Sequence, residues 1–219
     1  QRVWDITFTV AILGIIGAKL FHFLEYPDQI KYIFTDPSDA LFSGLTFYGG
    51  LLFGFATFFY YAKKLQVNPA VLADTAAPSL ILSYGVGRLG CQIAGDGDWG
   101  INNLLPKPEW LSFLPDWLWA YKYPHHVNME GELIPNCESL WGDYCFQLEQ
   151  AVYPTPIYEV FMCLAIFLTL WFLRKKLKYA GTLFSVYLIF NGIERFLIEK
   201  IRVNEPYEIF GYNPTQAEL

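Results

Sequence analysis

Apolar positions gather into five long blocks along the chain, at about 3–24, 41–62, 69–94, 156–173 and 180–199. Polar residues inside most of these blocks are isolated and do not recur every three to four positions. The blocks therefore lack the polar stripe of a helix resting on a soluble core. Each is close to the roughly 17–25 residues that carry a helix across a bilayer. Glycine, alanine and serine punctuate them, as in FTVAILGIIGAKLFHFL and LFSGLTFYGGLLFGFATFFYYA, where small residues let neighbouring membrane helices approach. The pattern predicts an all-α polytopic integral membrane protein. Residues 1–219 form a single transmembrane domain of about five spans, with residues 95–155 as a loop or cap between the third and fourth.

Composition agrees with this reading. The chain is 54% hydrophobic and only 16% charged, against about 25% charged in a soluble domain. Its net charge of −6 is not gathered into any stripe, and no basic patch points to nucleic acid. Lys63 and Lys64 close the second block; Arg174, Lys175, Lys176 and Lys178 follow the fourth. Short loops rich in Lys and Arg stay cytoplasmic. Two spans separate the clusters, so both face the cytoplasm, as do Gln1 and Arg2. The 95–155 segment and the carboxyl end then lie outside.

That external segment carries Trp99, Trp110, Trp117, Trp119 and Trp141. Its stretch LPKPEWLSFLPDWLWAY suits a bilayer surface, where Trp and Tyr concentrate, and suits a small packed cap equally well. Cys137 and Cys145 stand eight residues apart in it and are expected to pair in an oxidising compartment. Cys91 and Cys163 lie in or near spans.

Ionisable residues within spans mark function by default. Lys19 and His22, near the outer end of the first block, are expected to snorkel. Asp74, near the start of the third, is expected to cap or pair. Arg88 lies in SYGVGRLGCQIAG among Gly85, Gly87, Gly90 and Gly95. Glycines leave room for close approach, and a guanidinium holds phosphate through paired hydrogen bonds. The fifth block adds Glu194, Arg195, Glu199 and, just beyond, Arg202. Arg195 and Glu199 are four apart and share a helix face. Arg88 and Arg195 are expected to hold an anionic lipid headgroup together.

Other chemistries fit less well. Asp96 and Asp98 resemble the start of a twelve-residue calcium loop, but Ile101 and Lys107 stand where Gly and Glu belong. His125 and His126 are adjacent, and no Cys/His spacing suits zinc. No metal or cofactor is expected.

The motifs do resemble one family. GRLG at 87–90, running into GDGDWG, resembles the GRxGN…NGExxG signature of prolipoprotein diacylglyceryl transferases. FYGGLLFG (47–54) resembles that family's F-H-G-G-L-x-G, and YPTPIYE (153–159) its H-P-x-Q-L-Y-E. RFLIEKIRVNE (195–205) resembles R-x-x-x-E-x-x-R-x-P-D, GAKLFHFL (17–24) resembles GGRxxYxx, and PTQAEL resembles the approach to the last span. The matches run in family order over nearly the whole chain.

The resemblance implies a multi-pass enzyme of the bacterial inner membrane with its active site toward the periplasm. The family template has seven spans, so the chain is expected to lack the first and last. The long aromatic loop is similar to Bacteroidetes-like forms. The implied reaction moves the diacylglyceryl group of phosphatidylglycerol to the lipobox cysteine thiol in a preprolipoprotein signal peptide, the first step of lipoprotein maturation. Its partners are that lipid, that peptide and the surrounding membrane lipids.

By resemblance, Arg88 and Arg195 act on the phosphate and Glu199 orients an arginine. Gly49, Gly50, Gly87, Gly90 and Gly95 make room for substrate. Cys91, Asp96, Tyr158, Glu159 and Arg202 line or brace the site. Tyr48 occupies the family's histidine position. A tyrosine with pKa of about 10 is a poor base toward a thiol near about 8.5, so Tyr48 is expected to hydrogen-bond lipid or substrate. Cys91 replaces an asparagine, and the aspartate loop replaces a glutamate. The alternative is a non-catalytic, lipid-binding membrane subunit that docks partners through its external loop.

Overall fold

The computed structural model describes residues 2–31, 35, 44–137 and 142–202. The start of the second apolar block, Trp141, the end of RFLIEKIRVNE and the PTQAEL segment lie outside the described residues. Helices form where the apolar blocks predict them: α1 (Arg2–Glu25), α2 (Phe47–Lys64), α3 (Pro69–Ala94), α4 (Thr155–Leu173) and α5 (Thr182–Glu199). Ile6–Glu25 of α1, together with α3 and α4, is long and apolar enough to cross a membrane. The other two helices have 18 residues each. α2 ends in Lys63 and Lys64, and α5 carries Glu194, Arg195 and Glu199. The chain is an all-α polytopic membrane protein. Its described sheet is one antiparallel pair of two-residue strands, β1 (Glu132–Leu133) and β2 (Phe146–Gln147).

Two compact units divide the chain, Gln1–Leu72 and Ala73–Leu219. In the first, α1 packs against α2 through small residues. A Cβ placed on Gly17 would lie 2.6 Å from the Gly49 carbonyl oxygen, and one on Gly49 would overlap the Gly17 carbonyl. Only glycine permits backbones this close. Gly49 thus serves helix packing, while Tyr48 beside it is exposed. Tyr61 donates to Thr9 Oγ1 at 3.1 Å, and the Thr46 N–H donates to the Ala18 carbonyl at 3.2 Å, so the helices run antiparallel. His22 does not snorkel: it is buried, and its Nε2 lies 2.8 Å from Gln29 Oε1. The short 3-10 turn Pro27–Lys31 supplies an amide partner that makes burial affordable to the ring. Lys19 reaches the Gly44 carbonyl at 3.2 Å and lies over the Phe23 ring.

In the second unit, α3, α4 and α5 bury a core of Ile81, Cys163, Ile166, Leu170 and Leu183. α3 begins with Asn68, whose side chain accepts from Ala70 N–H at 2.9 Å, followed by Pro69 at the first helical position. Asp74 caps another helix, as its position suggested. Its carboxylate accepts from the N–H groups of Gly181 at 2.7 Å and Phe184 at 2.8 Å, at the start of α5. A carboxylate there meets the positive end of the helix dipole.

The described residues between α3 and α4, 95–137 and 142–154, gather around a small buried cluster of their own. Trp99, Tyr123 and Val152 are its buried centre. Burial pushes the Tyr123 phenol well above its ordinary pKa, and its hydroxyl donates to Gln92 Oε1 at 2.8 Å. Cys137 and Cys145 form a disulfide with their Cα atoms 5.7 Å apart, closing the end of the β1–β2 hairpin.

Candidate active site

The site grows from one face of α3. Tyr84 and Arg88 are four apart, so their side chains meet. Arg88 Nε donates to the Tyr84 hydroxyl at 3.1 Å, and that hydroxyl donates to Glu159 Oε1 at 3.2 Å. Glu159 stands on α4. Its other oxygen lies 2.8 Å from Arg88 Nε, and the two side chains are 10% and 1% exposed. Arg195, from α5, approaches the same carboxylate at 3.8 Å. Both guanidinium carbons lie over the Tyr84 ring, at 5.0 Å for Arg88 and 5.2 Å for Arg195. A ring face attracts cations and keeps them oriented without neutralising them.

The second half of the site comes from the GDGDWG loop. Asp98 bridges two arginines, one carboxylate oxygen taking Arg88 and the other Arg202. Backbone pairing holds that loop in place. Gly100 N–H donates to the Tyr153 carbonyl and Ile101 N–H to the Ile201 carbonyl, both at 2.8 Å. Thr155 Oγ1 donates to the Asp98 carbonyl at 2.7 Å. A Cβ on Gly100 would come 2.5 Å from the Ile201 carbonyl oxygen, so this three-way contact needs glycine. Burial, and then the positive charge of Arg88, push the Arg202 pKa down. An arginine remains charged all the same.

Three guanidinium groups therefore share two carboxylates in one ion-paired set. Glu194 adds a buried carboxyl within electrostatic range of Glu159, Arg195 and Arg88. Neither of its oxygens has a hydrogen-bond partner among the described residues.

The structure brings Arg88, Arg195, Arg202 and Glu159 together. Cys91 joins them, its Sγ 3.9 Å from an Arg88 nitrogen. Gly87 and Gly90 face open space on α3. Gly95 turns the chain out of α3 beside His126. Asp96 is exposed and accepts from the Asp98 N–H at 3.4 Å, so Asp98 is the aspartate that engages the arginines. Glu159, rather than Glu199, pairs with Arg195; Glu199 is buried with Oε1 unpartnered among the described residues. Tyr158 donates to the Leu118 carbonyl at 2.7 Å and so braces the cap. Tyr48, Gly49 and Gly50 belong to the first unit. Sequence reasoning passed over Tyr84 and Thr155. A tyrosine one turn before Arg88 was the available signal for the first; nothing local marks the second.

The chain also matches the family model of prolipoprotein diacylglyceryl transferase over residues 1–217. It belongs to that family. Among curated relatives, the phosphatidylglycerol–prolipoprotein diacylglyceryl transferase of Corynebacterium diphtheriae is 30% identical over 215 residues, covering 95% of this chain and 69% of the relative. The protein of the same name from Bifidobacterium adolescentis is 29% identical, covering 96% of this chain and 60% of its own length. That of Leptospira interrogans is 31% identical, covering 90% and 60%. The chain thus spans 60–69% of the length of these relatives. In this chain the GRLG, YPTPIYE and RFLIEKIR segments, distant in sequence, contribute Arg88, Glu159, Arg195 and Arg202 to one set of ion pairs.

Proposed function

We propose that this chain belongs to an enzyme transferring a diacylglyceryl group from phosphatidylglycerol to the lipobox cysteine of a prolipoprotein, at the outer face of the bacterial inner membrane. The supporting observation is the pair Arg88 and Arg202 closed around the single carboxylate of Asp98. Two guanidinium forks that hold a carboxylate between them have the charge and geometry to hold a phosphodiester.

The chemistry is displacement at carbon. The cysteine sulfur forms a C–S bond to the phosphate-bearing carbon of the diacylated glycerol, the C–O bond breaks, glycerol phosphate leaves with the electron pair, and the thiol proton leaves with the departing phosphate. Negative charge grows on the phosphate as that bond breaks. Preorganised cations aimed at it in a dry site lower the barrier more than any other single device. Arg88 and Arg202 take this part, with Arg195 beside them on the Tyr84 ring. Glu159 and Asp98 hold the guanidinium planes. Gly87 and Gly90 leave the adjoining face of α3 open for the lipid. Cys91 and Asp96 border that face.

The test is transfer by full-length protein in vesicles of phosphatidylglycerol, with a synthetic lipobox peptide. The expected product is the peptide carrying a diacylglyceryl mass on its cysteine, absent with Arg88→Ala. An unmodified peptide with well-folded protein overturns the proposal. A modified peptide with undiminished Arg88→Ala turnover removes Arg88 from it.

A further inference from the structure

Away from the ion-paired site, the cap carries one long excursion, residues 104–118, whose neck is tightly held. Asn103 N–H donates to the Ala151 carbonyl at 2.8 Å, and its side-chain amide donates to the Trp119 carbonyl at 2.6 Å. The Trp119 indole N–H donates to the Leu105 carbonyl at 3.0 Å, and its ring meets that of Tyr153 edge-on. The segment gripping the neck, 151–153, leads directly into α4 at Thr155. Tyr158, in the first turn of α4, holds the Leu118 carbonyl at the far end of the excursion. Both ends of the loop are thereby fixed at the level where a membrane-spanning helix begins.

What the excursion displays at that level is apolar. Leu104 is 73% exposed, Trp110 74% and Phe113 77%. Its one lysine is withdrawn: Lys107 is bonded to the Leu114 carbonyl and pairs with Asp116 at 2.9 Å. The Trp110 indole N–H has no partner among the described residues. This is the composition of an interfacial segment, with aromatic and aliphatic side chains for the acyl boundary and an indole N–H for the headgroups.

We propose that residues 104–118 form a monotopic anchor that inserts into the bilayer crossed by α4, with Leu104, Trp110 and Phe113 as its buried face. The occupant is lipid because the loop is pinned to a span's first turn, so membrane lies next to it. Glu109 and Asp116 stay on the water side. The anchor fixes the height of the cap above the membrane, and with it that of the Asp98 loop. The inference does not depend on the transferase reading.

Nitroxide labels at Phe113→Cys and, separately, Leu104→Cys report on it in full-length protein reconstituted into phosphatidylcholine vesicles, which lack the candidate substrate headgroup. Leu133→Cys, on the exposed face of β1, is the aqueous reference. Signal from Cys91 and Cys163 is subtracted using the unsubstituted protein. Collisions with oxygen are expected to exceed those with a water-soluble nickel chelate several-fold more at 113 and 104 than at 133. That places the labels about 5–10 Å below the headgroup level. Labels as nickel-accessible as the one at 133 overturn the proposal. Labels shielded from both reagents also overturn it, by showing that protein covers the loop.

Discussion

Arg88 Nε lies 2.8 Å from Glu159 Oε2, and this contact joins α3 to α4 with both side chains almost out of reach of solvent. Removing one partner of such a pair leaves the other charge stranded, at a cost of about 3–5 kcal/mol. Glu159→Gln keeps the shape and loses the charge, so it is expected to lower the unfolding temperature in detergent markedly. The double variant Glu159→Gln/Arg88→Met is expected to recover part of that loss. A double variant as unstable as the sum of the singles would show the two residues to be uncoupled.

The two aspartates of GDGDWG are expected to behave differently. Asp98→Asn takes the charge from between Arg88 and Arg202 and lets the guanidinium groups drift, with a fall in transfer on the order of 10²-fold. Asp96→Asn, at an exposed position, is expected to stay close to the parent rate. Steady-state transfer to a lipobox peptide separates the two variants. The reverse ranking would contradict the site as described.

Asp74 offers a test of fold away from chemistry. Asp74→Ala leaves the Gly181 and Phe184 N–H groups without their acceptor. A loss of about 1–2 kcal/mol is expected from the missing cap and dipole contact. Asp74→Asn is expected to fall between, since it keeps one acceptor oxygen. Thermal unfolding of the three proteins side by side checks the order.

The glycines of the first unit make an internal comparison. Gly17→Ala drives a methyl into the Gly49 carbonyl and the Phe53 side chain, at an expected cost of about 1–3 kcal/mol. Gly54→Ala meets nothing within 4 Å and is expected to be neutral or slightly stabilising. Helicity and unfolding temperature in micelles distinguish them.

The helices were legible because apolar run length is a strong signal that no tertiary contact had to supply. Arg88 was legible for the related reason that a guanidinium in an apolar block needs partners. Which partners it takes was not legible. Helix spacing put Glu199 on the face of Arg195, but α4 brings Glu159 to both arginines, and packing between helices overrode the local pattern. Asp98 was hidden because its loop turns through Gly97, at φ 97°, and is set by pairing with residues 153 and 201. Such long-range pairing leaves no local trace. His22 was misjudged by the same logic: its depth in the first block suggested a side chain reaching for water, while a glutamine seven residues later supplied a buried partner.

The grip of Asp98 on Arg202 spans 104 residues of chain. During synthesis at about 5–20 residues per second, roughly 5–20 s separate the appearance of one partner from that of the other. For that interval the nascent chain holds Arg88 and Asp98 without the second arginine, and the aspartate loop lacks the strand partner at Ile201. The Asp98 loop therefore gains its full set of partners only after α5 has been made. A ribosome stalled before that point would hold Asp98 with one of its two arginines still unmade.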